Sequence, residues 1–347
     1  VWRTNTMTLM QISRRELLAA LFAVNGFHAR AGPKPAKTVF MVLWRGETEV
    51  ESGFREYFDQ LDLPVEILPR SLDRRSERIP HVLDEIRETG PDLVYCWGTT
   101  ATLGVAGRDP GLMEGVNDYP PQITDRPVVF TMVSRPVKSR IVKMFGASGR
   151  NVTGVSHIVP IESQIEAMRK YMPVDRIAII FTPTEVNSVS AVEEISEIGV
   201  RLNIRVFRFP VSLDSEGYPD AEALPDLVAA AAATGSQVLY LGPDSFIGQY
   251  APHVTKLANA HRLPSFASAE RMLKGADALY GLVAPYRKVG RLTAIKAESI
   301  LFGGEDPSDI PVEVLPEFSY VIRADVARGL GIFPALSILE YAELIEP

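Results

Sequence analysis

A single cysteine, Cys96, stands in 347 residues, which excludes an intramolecular disulfide framework and any multi-thiolate metal site. It sits in the apolar run Leu93-Val94-Tyr95-Cys96-Trp97 and reads as a buried, inert thiol. Histidine is scarce too: the five are His28, His81, His157, His253 and His261, and no two stand at metal-ligand spacing. No Gly-x-Ser-x-Gly elbow, Walker loop, His-Glu-x-x-His or dinucleotide fingerprint occurs. Gly329-Leu330-Gly331 lacks a third glycine and a strand–helix context. A catalytic group assembled only in three dimensions stays open, but neither an enzyme nor a cofactor is the expectation. There is no basic excess: the formal charge is −7. Phosphate binding needs a basic face, so no nucleic-acid partner is expected. The apolar run Ala19 to Val24 is much too short to span a bilayer.

What remains is ordinary globular material, 46% hydrophobic and 23% charged. The length exceeds the comfortable size of one core, so two domains are expected. The amino terminus differs in kind. Ser13-Arg14-Arg15 precedes the short apolar run Ala19 to Val24 and then Ala29-Arg30-Ala31, the anatomy of a secretory signal over residues 1–31. The paired arginines resemble a twin-arginine signal, with Sec export an open alternative; an amphipathic first helix is the other reading. No cysteine follows the apolar run, so a lipid anchor is not expected. The mature protein should begin near Gly32, in a bacterial periplasm.

From Thr38 the chain alternates strands and helices. Thr38 to Trp44 is a continuous apolar run, a strand buried on both faces. Val50, Phe54, Phe58 and Leu61 mark the helix that follows. Strands are expected at Val65 to Leu68, Asp92 to Trp97 and Pro127 to Val133, and a short helix at Val137 to Met144. The stretch Gly149 to Ser156 reads as the crossover into a second series. There, strands at Arg176 to Phe181, Ile204 to Val211, Val238 to Leu241, Ser265 to Ala267 and Ala278 to Val283 alternate with helices. Such alternation means right-handed βαβ units on parallel sheets. The expected architecture is α/β: two Rossmann-like lobes joined by a multi-stranded hinge. The first lobe would comprise 38–154 and 284–310, the second 155–283 and 311–323, with a helical tail at 324–347.

In open α/β sheets a ligand binds beyond the carboxyl ends of the strands. That rule selects Trp44, Arg45 and Glu47, then Thr99 and Thr100, then Ser134 and Arg135. In the second series it selects Asn187, Ser188, Asp244 and Ser245, with Tyr280 near the hinge. Hydroxyl and amide groups at a helix start suit a carboxylate, or they simply cap the helix. Asp244 is either a partner for a ligand ammonium or a turn residue after Gly-Pro. Arg45 or Arg135 either clamps a second carboxylate or forms an ion pair. Trp44, Trp97 and Tyr280 either stack on a flat ligand or belong to the core.

Several motifs occur in a familiar order. They are Asn151-Val152-Thr153-Gly154-Val155-Ser156, Asn187-Ser188 and Pro264-Ser265-Phe266. Next come Lys274-Gly275-Ala276-Asp277-Ala278-Leu279-Tyr280-Gly281, Gly290-Arg291 and Ile310-Pro311-Val312-Glu313. The set closes with Gly329-Leu330-Gly331-Ile332-Phe333-Pro334. Together, over roughly residues 38 to 345, the chain resembles the ABC-transporter substrate-binding proteins of the TrpX-like group. The resemblance implies a type I periplasmic binding fold and ligand contact at Asn187-Ser188. It also implies a small-molecule ligand handed to an inner-membrane ABC permease and its ATPase, by a protein expected to be a monomer. Two loops depart from the group. Ser134-Arg135-Pro136 stands where Asp-Pro is usual, and Trp44-Arg45-Gly46-Glu47 is unusual. Both lie where ligand would be touched, so the group's preference for aromatic amino acids does not carry over directly. An amino acid, a dicarboxylate or a small aromatic acid all suit the site. A sensory adaptor on the same fold is the alternative reading, and a secreted α/β enzyme a more remote one.

Overall fold

A computed structural model describes residues 36–112 and 118–346; the expected export signal lies outside them. The first sheet is built by β1 (Lys37–Leu43), α1 (Glu49–Gln60), β2 (Val65–Ser71), α2 (Ile79–Thr89), β3 (Leu93–Trp97), α3 (Thr99–Ala106), β4 (Val128–Thr131) and β5 (Val152–Ser156). The second uses α4 (Ile161–Tyr171), β6 (Arg176–Phe181), α5 (Val186–Arg201), β7 (Arg205–Pro210), α6 (Leu224–Ala233), β8 (Val238–Leu241), α7 (Ser245–Gln249), α8 (Ala251–Ala260), β9 (Ser265–Ala267), α9 (Arg271–Lys274) and β10 (Tyr280–Val283). The chain then runs through α10 (Tyr286–Leu301), β11 (Glu313–Val314), β12 (Ser319–Arg323), α11 (Ala324–Leu330), α12 (Leu336–Leu339) and β13 (Glu343–Ile345).

Strand order is β11-β5-β4-β3-β1-β2 in a six-stranded sheet and β13-β12-β10-β9-β8-β6-β7 in a seven-stranded one. All pairings are parallel except β10 with β12. Two α/β lobes follow, each with its own buried core on its own sheet. The apolar runs explain the inner strands. Val39 to Leu43 and Leu93 to Trp97 are buried throughout, because helices cover both faces of a parallel sheet. Among the described residues no helix is long and apolar enough to cross a membrane. Nor could any cluster of His, Cys, Asp or Glu there hold a metal ion.

Within the described residues the chain passes between the sheets three times: after β5, after β10, and between β11 and β12. This corrects the expected boundaries. The stretch Gly149 to Ser156 is not itself the crossover. β5 pairs with β4 in the first sheet, and the passage follows it at 157–160. Asn151 is held inside that lobe by its amide, which donates to Ile123 O and Arg126 O. Segment 311–315, expected in the second lobe, lies in the first: Glu313 and Val314 pair with Val155 and Ser156. Buried Lys296 draws it there, donating to Pro311 O at 2.6 Å and to Glu313 at 2.5 Å. The tail is not wholly helical, since β13 pairs with β12. Val137 to Met144 forms turns and not a helix, because Arg140 sits at φ 56° and interrupts it.

Helix α1 starts in a capping box, with Glu51 accepting from Thr48 N at 2.7 Å. Its buried face carries Val50, Phe54 and Phe58. Helix α10 packs directly across it. Gly53 and Gly290 allow that approach: a Cβ at Gly290 would lie 1.9 Å from Val50 O, and one at Gly53 2.2 Å from Arg287 O. The last long helix is therefore locked onto the first.

Candidate functional site

The loops beyond the carboxyl ends of both sheets line a cavity between the lobes. The first lobe contributes Trp44 and Arg45 after β1, Trp97 to Thr100 at the β3–α3 junction, Met132 and Ser134 after β4, and His157 after β5. The second contributes Asn187 on α5, Pro243 to Ser245 before and at the start of α7, and Ala269, Arg271 and Met272 around α9. Tyr286, the first residue of α10, closes the hinge side.

Four polar atoms lining this cavity are buried without a hydrogen-bond partner: Arg45 Nε, Trp97 Nε1, Thr99 Oγ1 and His157 Nδ1. Arg45 is 8% exposed, and Thr99, Trp97 and His157 are 5% exposed. Leaving such a group unpaired costs about 1–3 kcal/mol, so native structures almost always give it a partner. The Arg45 guanidinium lies over the Trp97 ring, its Cζ 4.5 Å from the centroid. Helix α3 opens at Gly98, whose φ of 86° suits glycine. No side chain caps that helix, so its first turn presents backbone N–H groups and partial positive charge toward the cavity.

The charge around the cavity is mostly positive. Burial, aided by Arg45 and Arg135, pushes the His157 imidazole down to about 3, so it is neutral at physiological pH. Burial together with Arg45 and Arg74 lowers the Arg271 guanidinium to about 10, still protonated at pH 7. Burial raises the Tyr286 hydroxyl, while Arg45 and Arg271 pull the other way.

A model of ABC transporter substrate binding proteins matches residues 120–345. The chain belongs to that family. A "Tyrosine-binding protein" of Clostridioides difficile is 31% identical over 208 residues, 59% of this chain and 57% of that protein's length. Among solved structures, a conserved domain protein of Vibrio cholerae is 21% identical with a TM-score of 0.75, covering 90% of this chain and all of that one. An ABC domain from Streptococcus pneumonia, solved in complex with L-Trp, is 22% identical with a TM-score of 0.73, covering 89% of this chain and 100% of its own. These similarities establish the two-lobed type I fold of this substrate-binding protein.

In this substrate-binding protein the cavity brings together Trp44, Arg45, Thr99, Thr100, Ser134, Asn187, Asp244 and Ser245 of the residues expected there. Four others lie elsewhere. Glu47 is exposed and ion-paired with Arg55 at 2.7 Å. Arg135 points across the lobes to Glu194. Ser188 donates to Asp244 at 2.6 Å, so it supports the loop from behind. Tyr280 is fully buried in the second core, stacked on Tyr171 at 4.4 Å. The capping alternative fails at Thr99, whose hydroxyl caps nothing.

Asp244 lines the cavity as a saturated group. Its oxygens accept from Thr182 N at 2.7 Å, Thr182 Oγ1 at 3.0 Å, Ser188 Oγ at 2.6 Å and Ile247 N at 2.8 Å. Glu185 beside it accepts from Ser245 N at 2.9 Å and Phe246 N at 3.1 Å. Burial raises both carboxyls, and Asp244's charge adds to the rise at Glu185. Asn187 donates to Pro243 O at 2.5 Å. Met132, His157, Ala269, Arg271, Met272 and Tyr286 were not anticipated. The rule that found the other loops would have reached the first five if extended past β4, β5 and β9. Tyr286 lies past β10.

Two ion pairs join the lobes. Besides Arg135 with Glu194, Lys138 pairs with Glu193 at 3.0 Å. Both acids lie on α5, so the loop after β4 is tied to the second lobe.

Proposed function

We propose that this substrate-binding protein works outside the cytoplasmic membrane in an ABC import system. It closes its lobes over one small molecule bearing a carboxylate and delivers it to an inner-membrane permease and its ATPase. The observation that carries this reading is the set of unpartnered buried atoms at Arg45, Trp97, Thr99 and His157, gathered on one inter-lobe cavity beside an uncapped helix start. A carboxylate supplies acceptors for the free N–H groups of α3 and for the Thr99 hydroxyl. Trp44, Trp97, Met132, Met272 and Tyr286 give the ligand's body apolar walls. The tyrosine-binding relative and the neighbour holding L-Trp support a small carboxylate with an attached ring. Because both lobes supply contacts, the ligand stabilises the closed arrangement by its greater affinity for it.

Thermal unfolding with a panel of carboxylates, amino acids and sugars tests the reading. A ligand at 100-fold above its Kd stabilises by about 2.7 kcal/mol, which raises the midpoint measurably. A shift with carboxylates that Thr99→Val diminishes is the expected result. No shift with any compound, in protein stripped of carried ligand, refutes it. Loss of uptake of the same compound in a deletion strain tests delivery.

A further inference from the structure

The same cavity restricts its ligand further than its apolar walls do, an argument that rests on the reading just given. Its side chains offer no free carboxylate to a cation. Asp244 is the one carboxylate lining it among the described residues, and its four lone-pair positions are already taken by Thr182, Ser188 and Ile247. Glu185 faces a neighbouring space and is held by the start of α7. The Pro243 carbonyl accepts from Asn187. An ammonium would meet only neutral acceptors there, the hydroxyls of Thr99, Thr100, Ser134 and Ser245 and the Asn187 amide oxygen, and a buried charge without a countercharge is strongly disfavoured.

Donors, by contrast, are in excess. Arg45 Nε and Trp97 Nε1 can only donate. Arg45 from the first lobe and Arg271 from the second converge on the cavity, and neither forms an ion pair with a described residue. Two guanidinium groups brought together by lobe closure repel each other unless a negative charge lies between them.

We propose that the ligand is a dianion without an ammonium group, a dicarboxylate on a flat or apolar frame. One carboxylate takes the first turn of α3 with Thr99, and the second charge lies between Arg45 and Arg271. The second charge then acts as a latch between the lobes, since it offsets the repulsion between Arg45 and Arg271.

The test is titration calorimetry on purified protein stripped of carried ligand, with three matched sets. These are L-tryptophan, L-tyrosine and L-phenylalanine; their 3-arylpropanoates, which lack the ammonium; and the dicarboxylates succinate, glutarate, phthalate and phenylsuccinate. At least one dicarboxylate should bind about tenfold or more tighter than any monocarboxylate, and each arylpropanoate tighter than its amino acid. Arg271→Gln should weaken dicarboxylate binding by about tenfold or more and monocarboxylate binding less. An amino acid that binds tighter than its deaminated counterpart overturns the proposal and leaves the carboxylate reading intact. Binding by no carboxylate at all overturns both.

Discussion

Replacing Gly290 by alanine should destabilise the protein, although alanine is the better helix former. A Cβ at this position would lie 1.9 Å from Val50 O and 2.9 Å from Phe54 N. Both obstacles are backbone, so no rotamer change relieves them. Ordinary contact is about 3.4 Å or more, and α1 and α10 would have to part by roughly 1.5 Å. Parting them uncovers a face built on Val50, Phe54 and Val289, all fully buried. Overpacking of this kind costs about 3 kcal/mol at the upper end of its range, and the helix propensity gain returns about 1 kcal/mol. The expected net loss is therefore about 2 kcal/mol. Gly329 is the control. It lies in α11, is exposed, and has nothing within 4 Å of its would-be Cβ. Gly329→Ala should stabilise by about 0.5–1 kcal/mol. Urea unfolding followed by tryptophan fluorescence reads both as midpoint shifts of opposite sign at constant slope. A Gly290→Ala variant as stable as the parent would refute the account of this helix crossing.

Thr99→Val removes a hydroxyl that caps nothing, so stability should stay within about 0.5 kcal/mol while ligand affinity falls about tenfold, measured by calorimetry. His157 has a folded pKa of about 3, below its ordinary 6.5. Its contribution to stability is present above pH 6.5 and is lost as pH falls toward 3, amounting to on the order of 5 kcal/mol. His157→Phe should flatten the stability profile in that window, as read by denaturation at a series of pH values; an unchanged slope counts against a buried neutral imidazole. Arg135→Ala removes the tie to Glu194, so the ligand-free protein should show a larger radius of gyration by small-angle scattering and bind ligand several-fold more weakly.

The inner strands were legible because double burial writes a simple signal. Val39 to Leu43 and Val238 to Leu241 are apolar without interruption and lie between helices. β13, three residues in a tail expected to be helical, carries no period to read. The helix expected at Val137 to Met144 had the right composition, but its left-handed Arg140 is a property of the fold around it. In the site, the strand-end rule located the loops but not the roles within them. Asp244 and Ser188 look like ligand contacts in a sequence; that they saturate each other depends on Thr182 and Ile247 meeting them in space. Arg271 and His157 belong to no motif, and only the folded chain brings them to the cavity. Tyr280 had two readings, and its stacking on Tyr171 decides for the core.

The three passages between the sheets bear on how the protein is made. The first lobe owns α10 and β11, which follow the whole run from α4 to β10 in the chain. Residue 314 leaves the ribosome 158 residues after Ser156, about 8–30 s later at ordinary elongation rates. Until then β4 and β5 lack the helix that covers them and α1 lacks its partner. The second lobe in turn waits for β12 and β13. The first lobe can close only once β11 is made and the second only after β12 and β13 follow, so both stay incomplete until late in synthesis.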